Sequence, residues 1–212
     1  MVLNGTPRSG KSSAAAALQE QSPDSLWLNF GVDAMAEVTP AALRPGIGLR
    51  PGGERPDLES GVVVLFNALY AAVEAWSRAG LNVVVDVGHH DDYSRSLGIL
   101  TKTAILLQDL PAYFVGVRCP VEVIMARRDA DQRGDDRRGG RYVTSGPDGS
   151  VPDVIFRWER AVHDPGLYDL EVETSTASPE ACGGAILRRV NTGPPTAFAA
   201  IAGSAPPTVT SP

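Results

Sequence analysis

Apolar positions along this chain alternate between short continuous runs and helical spacing. Met1–Leu3 is a brief apolar run, and Ser13-Ala-Ala-Ala-Ala-Leu18 is a strong helix former, so a first helix is expected over about 10–19, ended by the turn residues of 21–25. Leu26–Phe30 reads as a strand, and Ala34–Val38 as a short helix that stops before Pro40. Val62, Leu65, Phe66, Leu69, Val73 and Trp76 recur at the 3.6-residue period, which predicts a helix over 61–79 closed by Gly80. The β-branched run 82–86 and the run 112–118 suit strands buried on both faces. Between them a helix is expected over about 92–108, with Asp91 or Asp92 as its cap. Pro120 opens another helix, 154–163 a further one, 168–173 a last strand, and Ser178-Pro179-Glu180 starts a helix ending near Val190.

This alternation, without an internal repeat, predicts an α/β domain with a mostly parallel central sheet spanning 1–190. Two segments break the pattern. Residues 39–60 interleave prolines and glycines with no apolar period, as expected of a mobile functional loop beside the active site. From 191 to 212 Pro, Ala, Thr and Ser dominate, which predicts a disordered tail. The first strand is short, so strand residues upstream of Met1 are expected.

The 212 residues are enough for one such domain with a full core. A net charge of −6 argues against a general nucleic-acid surface. No run of 18 apolar residues predicts a membrane span, and no basic-then-apolar leader opens the chain. Cys119 and Cys182 have no metal-ligand spacing and read as reduced, buried thiols, in keeping with a cytoplasmic protein.

The chemistry concentrates in Gly5-Thr6-Pro7-Arg8-Ser9-Gly10-Lys11-Ser12, which fits G-x-x-x-x-G-K-[ST] without mismatch and lies between the first strand and the first helix. Successive amides and a helix N-terminus make an anion cradle, and Gly5 and Gly10 allow close approach. Lys11 is placed to reach the β- and γ-phosphates of a nucleotide, and the Ser12 hydroxyl to hold Mg²⁺. Of 19 basic residues only Lys11 and Lys102 are lysines, so an arginine-using chain keeps lysine where the motif needs it. In a sheet of this kind ligands gather at the carboxyl ends of the strands. Asp33 follows the second strand there, and Asp86 ends the third, where an acid would bind Mg²⁺. His89 and His90 follow as a polar loop or as acceptor contacts. Six arginines fall within 127–141, read either as a solvated helix end or as a lid over a triphosphate.

Several stretches together resemble chloramphenicol phosphotransferase and its relatives: LNGTPRSGKSS at 3–13, FGVDAM at 30–35, RAGLNVVVDV at 78–87, FVGVRCPVEV at 114–123, DQRGDDR at 131–137 and VHDPGLYDLEVETSTASPEAC at 162–182. The resemblance implies a three-layer P-loop NTPase fold with an arginine-rich lid. It also implies ATP with Mg²⁺ as the phosphoryl source and a small-molecule hydroxyl as acceptor. It makes Asp33 the base that takes the hydroxyl proton. If the arginine run is a lid, Arg133 and Arg137, four apart and flanking Gly134-Asp135-Asp136, are the candidates to offset transition-state charge. The match is poorest over 36–60, where the acceptor is expected, and Asp86 is followed by Val87 where the family has a second acid. Two other functions fit the same residues. One is a small metabolic kinase for a nucleotide or sugar acid, which would want arginines around the acceptor; 40–60 supplies Arg44, Arg50 and Arg55. The other is a regulatory module that binds ATP without an acceptor. Oligomeric state is not encoded legibly.

Overall fold

The computed structural model describes residues 1–133 and 143–204. Five strands, β1 (Val2–Asn4), β2 (Trp27–Asn29), β3 (Asn82–Val87), β4 (Phe114–Arg118) and β5 (Leu170–Glu173), form one sheet in the order β2-β3-β1-β4-β5. Every pairing is parallel. The side-chain period of two sorts residues onto its faces. Val2, Val83, Val85, Val87 and Phe114 face one hydrophobic cluster; Leu3, Val84, Val115, Val117 and Val172 face the other.

Helices cover both faces, giving three layers. On the first face lie α3 (Glu59–Arg78), α4 (Ile99–Leu107) and α8 (Ala197–Gly203); on the second lie α1 (Lys11–Glu20) and α7 (Pro179–Asn191). α1 and α7 pack closely enough that a Cβ on Gly183 would stand 2.9 Å from the Leu18 amide. The remaining helices, α2 (Val32–Val38), α5 (Val121–Arg133) and α6 (Asp153–Val162), flank the carboxyl ends of the strands. α3 is long and apolar enough by composition to cross a membrane. In this fold its Val62, Phe66, Leu69, Tyr70 and Val73 face is buried in the core. Cys119 and Cys182 are buried and free.

Two expectations are corrected. The stretch 191–212 is not a structureless tail throughout: α8 docks Ala197, Phe198 and Ile201 into the core, with the Phe198 ring stacked on Phe114 at 5.0 Å. Asp169 anchors its start by accepting from the amides of Thr196 at 2.7 Å and Ala197 at 3.2 Å. Three well-spaced apolar contacts outweigh a composition typical of disorder. The helix expected over 92–108 is shorter because residues 91–98 form a loop instead. Neither Asp91 nor Asp92 caps α4, whose N-cap is Gly98 without a side-chain bond; Asp91 instead shapes the loop before it, accepting from the amides of Leu97 at 2.7 Å and Gly98 at 2.9 Å. The 39–60 segment contains two single-turn 3-10 helices, Ala41–Leu43 and Gly46–Leu49.

Candidate active site

At the carboxyl edge of the sheet a cavity of about 760 Å³ opens between the loops. One wall is the loop 5–12. Gly5 leaves β1 so tightly that a Cβ there would meet the Val117 carbonyl at 2.5 Å, and Gly10 takes φ +98°, which favours glycine. Arg8 adopts φ 74° and is held by an ion pair to Asp131 of α5. Lys11, at the first position of α1, is 8% exposed; its Nζ donates to the carbonyls of Gly5 and Thr6, each at 2.9 Å.

Register explains the next contact. Leu3 pairs with Asp86, and alternation turns Asp86 to the same face as Val84, toward α1. There the Ser12 Oγ donates to Asp86 Oδ2 at 2.6 Å, and Lys11 Nζ lies 3.5 Å from Asp86 Oδ1. A hydroxyl and a carboxylate brought together beside an anion cradle are hard oxygen donors that fit Mg²⁺, which takes few protein ligands and completes its shell with phosphate and water. Among the described residues no cluster of three acidic, His or Cys side chains offers a fuller metal cage.

Asp33 lies in the first turn of α2 and lines the same cavity as Lys11, Ser12 and Asp86. α2 begins hard against β3, because Gly31 is so close to Asp86 that a Cβ would stand 2.4 Å from its carbonyl oxygen. Asp33 makes no side-chain capping bond; the N-cap position belongs to Gly31. Arg133 is the last residue of α5, while Arg137 and the rest of the arginine run from 134 to 141 lie outside the described residues.

His89 and His90 do not line the cavity. His89 is buried against Phe66, Tyr70 and Phe114, its Nε2 2.5 Å from the Tyr70 hydroxyl; burial and the neighbouring His90 push its pKa down to about 3. His90 stacks on Tyr93 and its Nε2 meets the Leu49 carbonyl at 2.8 Å, so it holds the 39–60 segment in place.

The structure adds groups that the sequence pattern did not single out. Arg127 Nη1 donates to the Arg8 carbonyl at 3.2 Å and Nη2 to the Thr174 carbonyl at 2.8 Å, while Thr174 Oγ1 donates to the Ser9 carbonyl at 2.5 Å. This ties the loop after β5 to the phosphate cradle. The fully buried Arg128 donates to the Pro7 carbonyl at 3.1 Å, and Thr6 Oγ1 donates to Glu159 of α6 at 3.0 Å. In the sequence Arg127 and Arg128 stand inside the 127–141 arginine run, where nothing local separates an inward guanidinium from a solvated one.

A parallel three-layer fold whose phosphate loop, lysine, serine and strand-end acid share one cavity is that of a P-loop kinase. The chloramphenicol phosphotransferase-like family model matches residues 1–191, and the chain belongs to that family. No curated protein matches it significantly in sequence. Among solved structures it is similar to shikimate kinase from Acinetobacter baumannii in complex with shikimate, at 17% identity and TM-score 0.56, covering 90% of this chain and 92% of that one. It is also similar to Mycobacterium tuberculosis APS kinase in complex with AMPPNP and APS, at 17% identity and TM-score 0.54, covering 90% and 96%. A tunicamycin resistance protein from Deinococcus radiodurans aligns at 17% identity and TM-score 0.50, over 92% of this chain and 96% of that one. Family and fold together support kinase-type phosphotransfer with bound nucleotide.

Proposed function

We propose that this protein is an ATP-dependent O-phosphotransferase acting on a hydroxyl of a small, partly apolar molecule. The observation that carries this is the opening of Asp33 onto the cavity that Lys11, Ser12 and Asp86 line. The backbone N–H groups of 5–12, Pro7 apart, cradle the phosphates, and the Lys11 ammonium turns from its loop carbonyls to the β- and γ-oxygens. Ser12 and Asp86 would hold Mg²⁺, which when bound offsets charge on those phosphates. Asp33 orients the acceptor hydroxyl and takes its proton. The acceptor oxygen forms the new bond to the γ-phosphorus, the bond from that phosphorus to the β–γ bridging oxygen breaks, and ADP leaves. Arg133 and Arg137, four apart in the arginine run, are the candidates to offset charge on the transferring phosphoryl group. A cytoplasmic setting, where ATP is supplied, suits this chemistry.

The test is incubation with Mg-ATP and a panel of hydroxylated small molecules, chloramphenicol included, followed by mass spectrometry. A product heavier by one phosphate, with ADP release stimulated by that acceptor, supports the proposal. Tight ATP binding with no stimulated turnover by any acceptor would favour the regulatory module instead.

A further inference from the structure

The acceptor end of the cavity has an apolar floor, formed by Val32, Ala36, Leu49 and Phe66, and a rim that carries Arg44 and Arg50. Arg44 is fixed along one edge: its Nε donates to the Thr39 carbonyl at 2.9 Å and its Nη2 to the Glu37 carbonyl at 3.3 Å. Among the described residues its Nη1 has no partner. The Arg50 side chain is 19% exposed, yet its nearest carboxylate is Glu54 at 3.9 Å, beyond hydrogen-bond reach, and Glu54 is itself 42% exposed. Arg55, the third arginine of the segment, makes the contrast. It is bonded to both oxygens of Asp57, at 2.9 and 2.7 Å, and does not line the cavity.

Of the three arginines in the 39–60 segment, the two that line the cavity are therefore the two without a hydrogen-bonded carboxylate; Arg8 and Arg127, which also line it, are engaged on the phosphate-loop side, by Asp131 and by the Arg8 and Thr174 carbonyls. A guanidinium stays charged and presents a planar fork of donors that matches an oxyanion. Arg50, largely withdrawn from water without such a partner, is unfavourable there unless a ligand completes it, while Arg44 offers its fork from the exposed rim. Asp33 and Glu37 also border the cavity, and the nucleotide brings its own triphosphate. Two arginines against that background suit one added negative charge better than a second phosphate. The volume must hold nucleotide and acceptor together, which keeps the acceptor small.

Building on the kinase reading above, we propose that the acceptor is a small hydroxylated carboxylic acid. Its carboxylate engages Arg44 and Arg50, its ring or branched skeleton rests on the floor around Phe66 and Leu49, and its hydroxyl is presented to Asp33. The arginines act on specificity and leave the nucleotide side alone.

The test uses the full chain loaded with Mg²⁺ and AMPPNP, titrated with 3-hydroxycyclohexanecarboxylate, its neutral carboxamide and its phosphate-bearing counterpart, 3-hydroxycyclohexyl phosphate. Binding is read by calorimetry, and turnover of the same three compounds is read with ATP. The carboxylate is expected to bind and to be phosphorylated in preference to the amide, by about 10- to 100-fold, the range of a lost charge-assisted hydrogen bond. Arg50→Leu and Arg44→Leu are expected to abolish that preference while AMPPNP affinity stays as in the wild type. Equal binding of carboxylate and amide, preference for the phosphate compound, no binding of any of the three, or loss of AMPPNP affinity in the arginine variants would each overturn the proposal. Failure of the wild type to bind AMPPNP would instead remove the kinase reading beneath it.

Discussion

Asp33 and His89 show how differently two polar residues after parallel strands are used. Asp33 is exposed and opens on the cavity, where a carboxylate can meet a hydroxyl. Asp33→Asn is expected to leave ATP binding intact and to lower turnover by about 10²-fold or more, measured by calorimetry alongside steady-state ADP release; near-normal turnover would take Asp33 out of the mechanism. His89 is sealed in the core as the neutral ring. Its folded pKa of about 3 lies below the ordinary histidine value of 6.5, so between those limits the unfolded chain binds a proton that the folded chain refuses. Stability is therefore expected to fall as pH drops from about 6.5 toward 3, by up to about 1.4 kcal/mol per pH unit from this residue. His90, whose pKa is also lowered by burial, contributes in the same direction. Urea unfolding of His89→Gln at pH 4.5, 5.5 and 7 should give a shallower pH dependence than the wild type. An unchanged slope would assign the acid sensitivity elsewhere.

Among the elements, those with a strong period were legible in the sequence and those held by distant partners were not. Valines on the pleat gave β3, the apolar period gave α3 and cap chemistry gave α7. The phosphate loop was legible because its spacing is local, and the Ser12–Asp86 pair because a strand-end acid beside that loop follows from a parallel sheet. The staples were hidden: Arg127 reaches the Arg8 carbonyl across 119 residues of chain, and Thr6 reaches Glu159 across 153. Spacing in sequence carries no trace of such contacts. α8 was missed for a related reason, since Phe198 gains its partner Phe114 only once the sheet exists. Phe198→Ala is expected to cost about 3 kcal/mol or more, as for other buried aromatic truncations. Chemical denaturation checks this, and an unchanged midpoint would mean that α8 does not stabilise the core.

For the whole molecule, the topology gathers Lys11, Ser12, Asp33 and Asp86 around one cavity at the carboxyl edge of the sheet. β1 is central, flanked by β3 and β4, so the loop leaving it is bordered by Asp86 on one side and by the Arg118–Thr174 region on the other. The 39–60 segment closes the far side through His90 and Leu49, and Gly52 donates its amide to the Asp92 carbonyl at 2.7 Å. Nucleotide binding to this edge should stabilise the entire fold by mass action. The most direct measurement is calorimetric titration of the wild type and of Lys11→Ala with AMPPNP in the presence of Mg²⁺. The account predicts one nucleotide bound per chain and affinity strongly reduced or lost in the variant. Absence of heat with the wild type, or equal affinity in the two proteins, would contradict it.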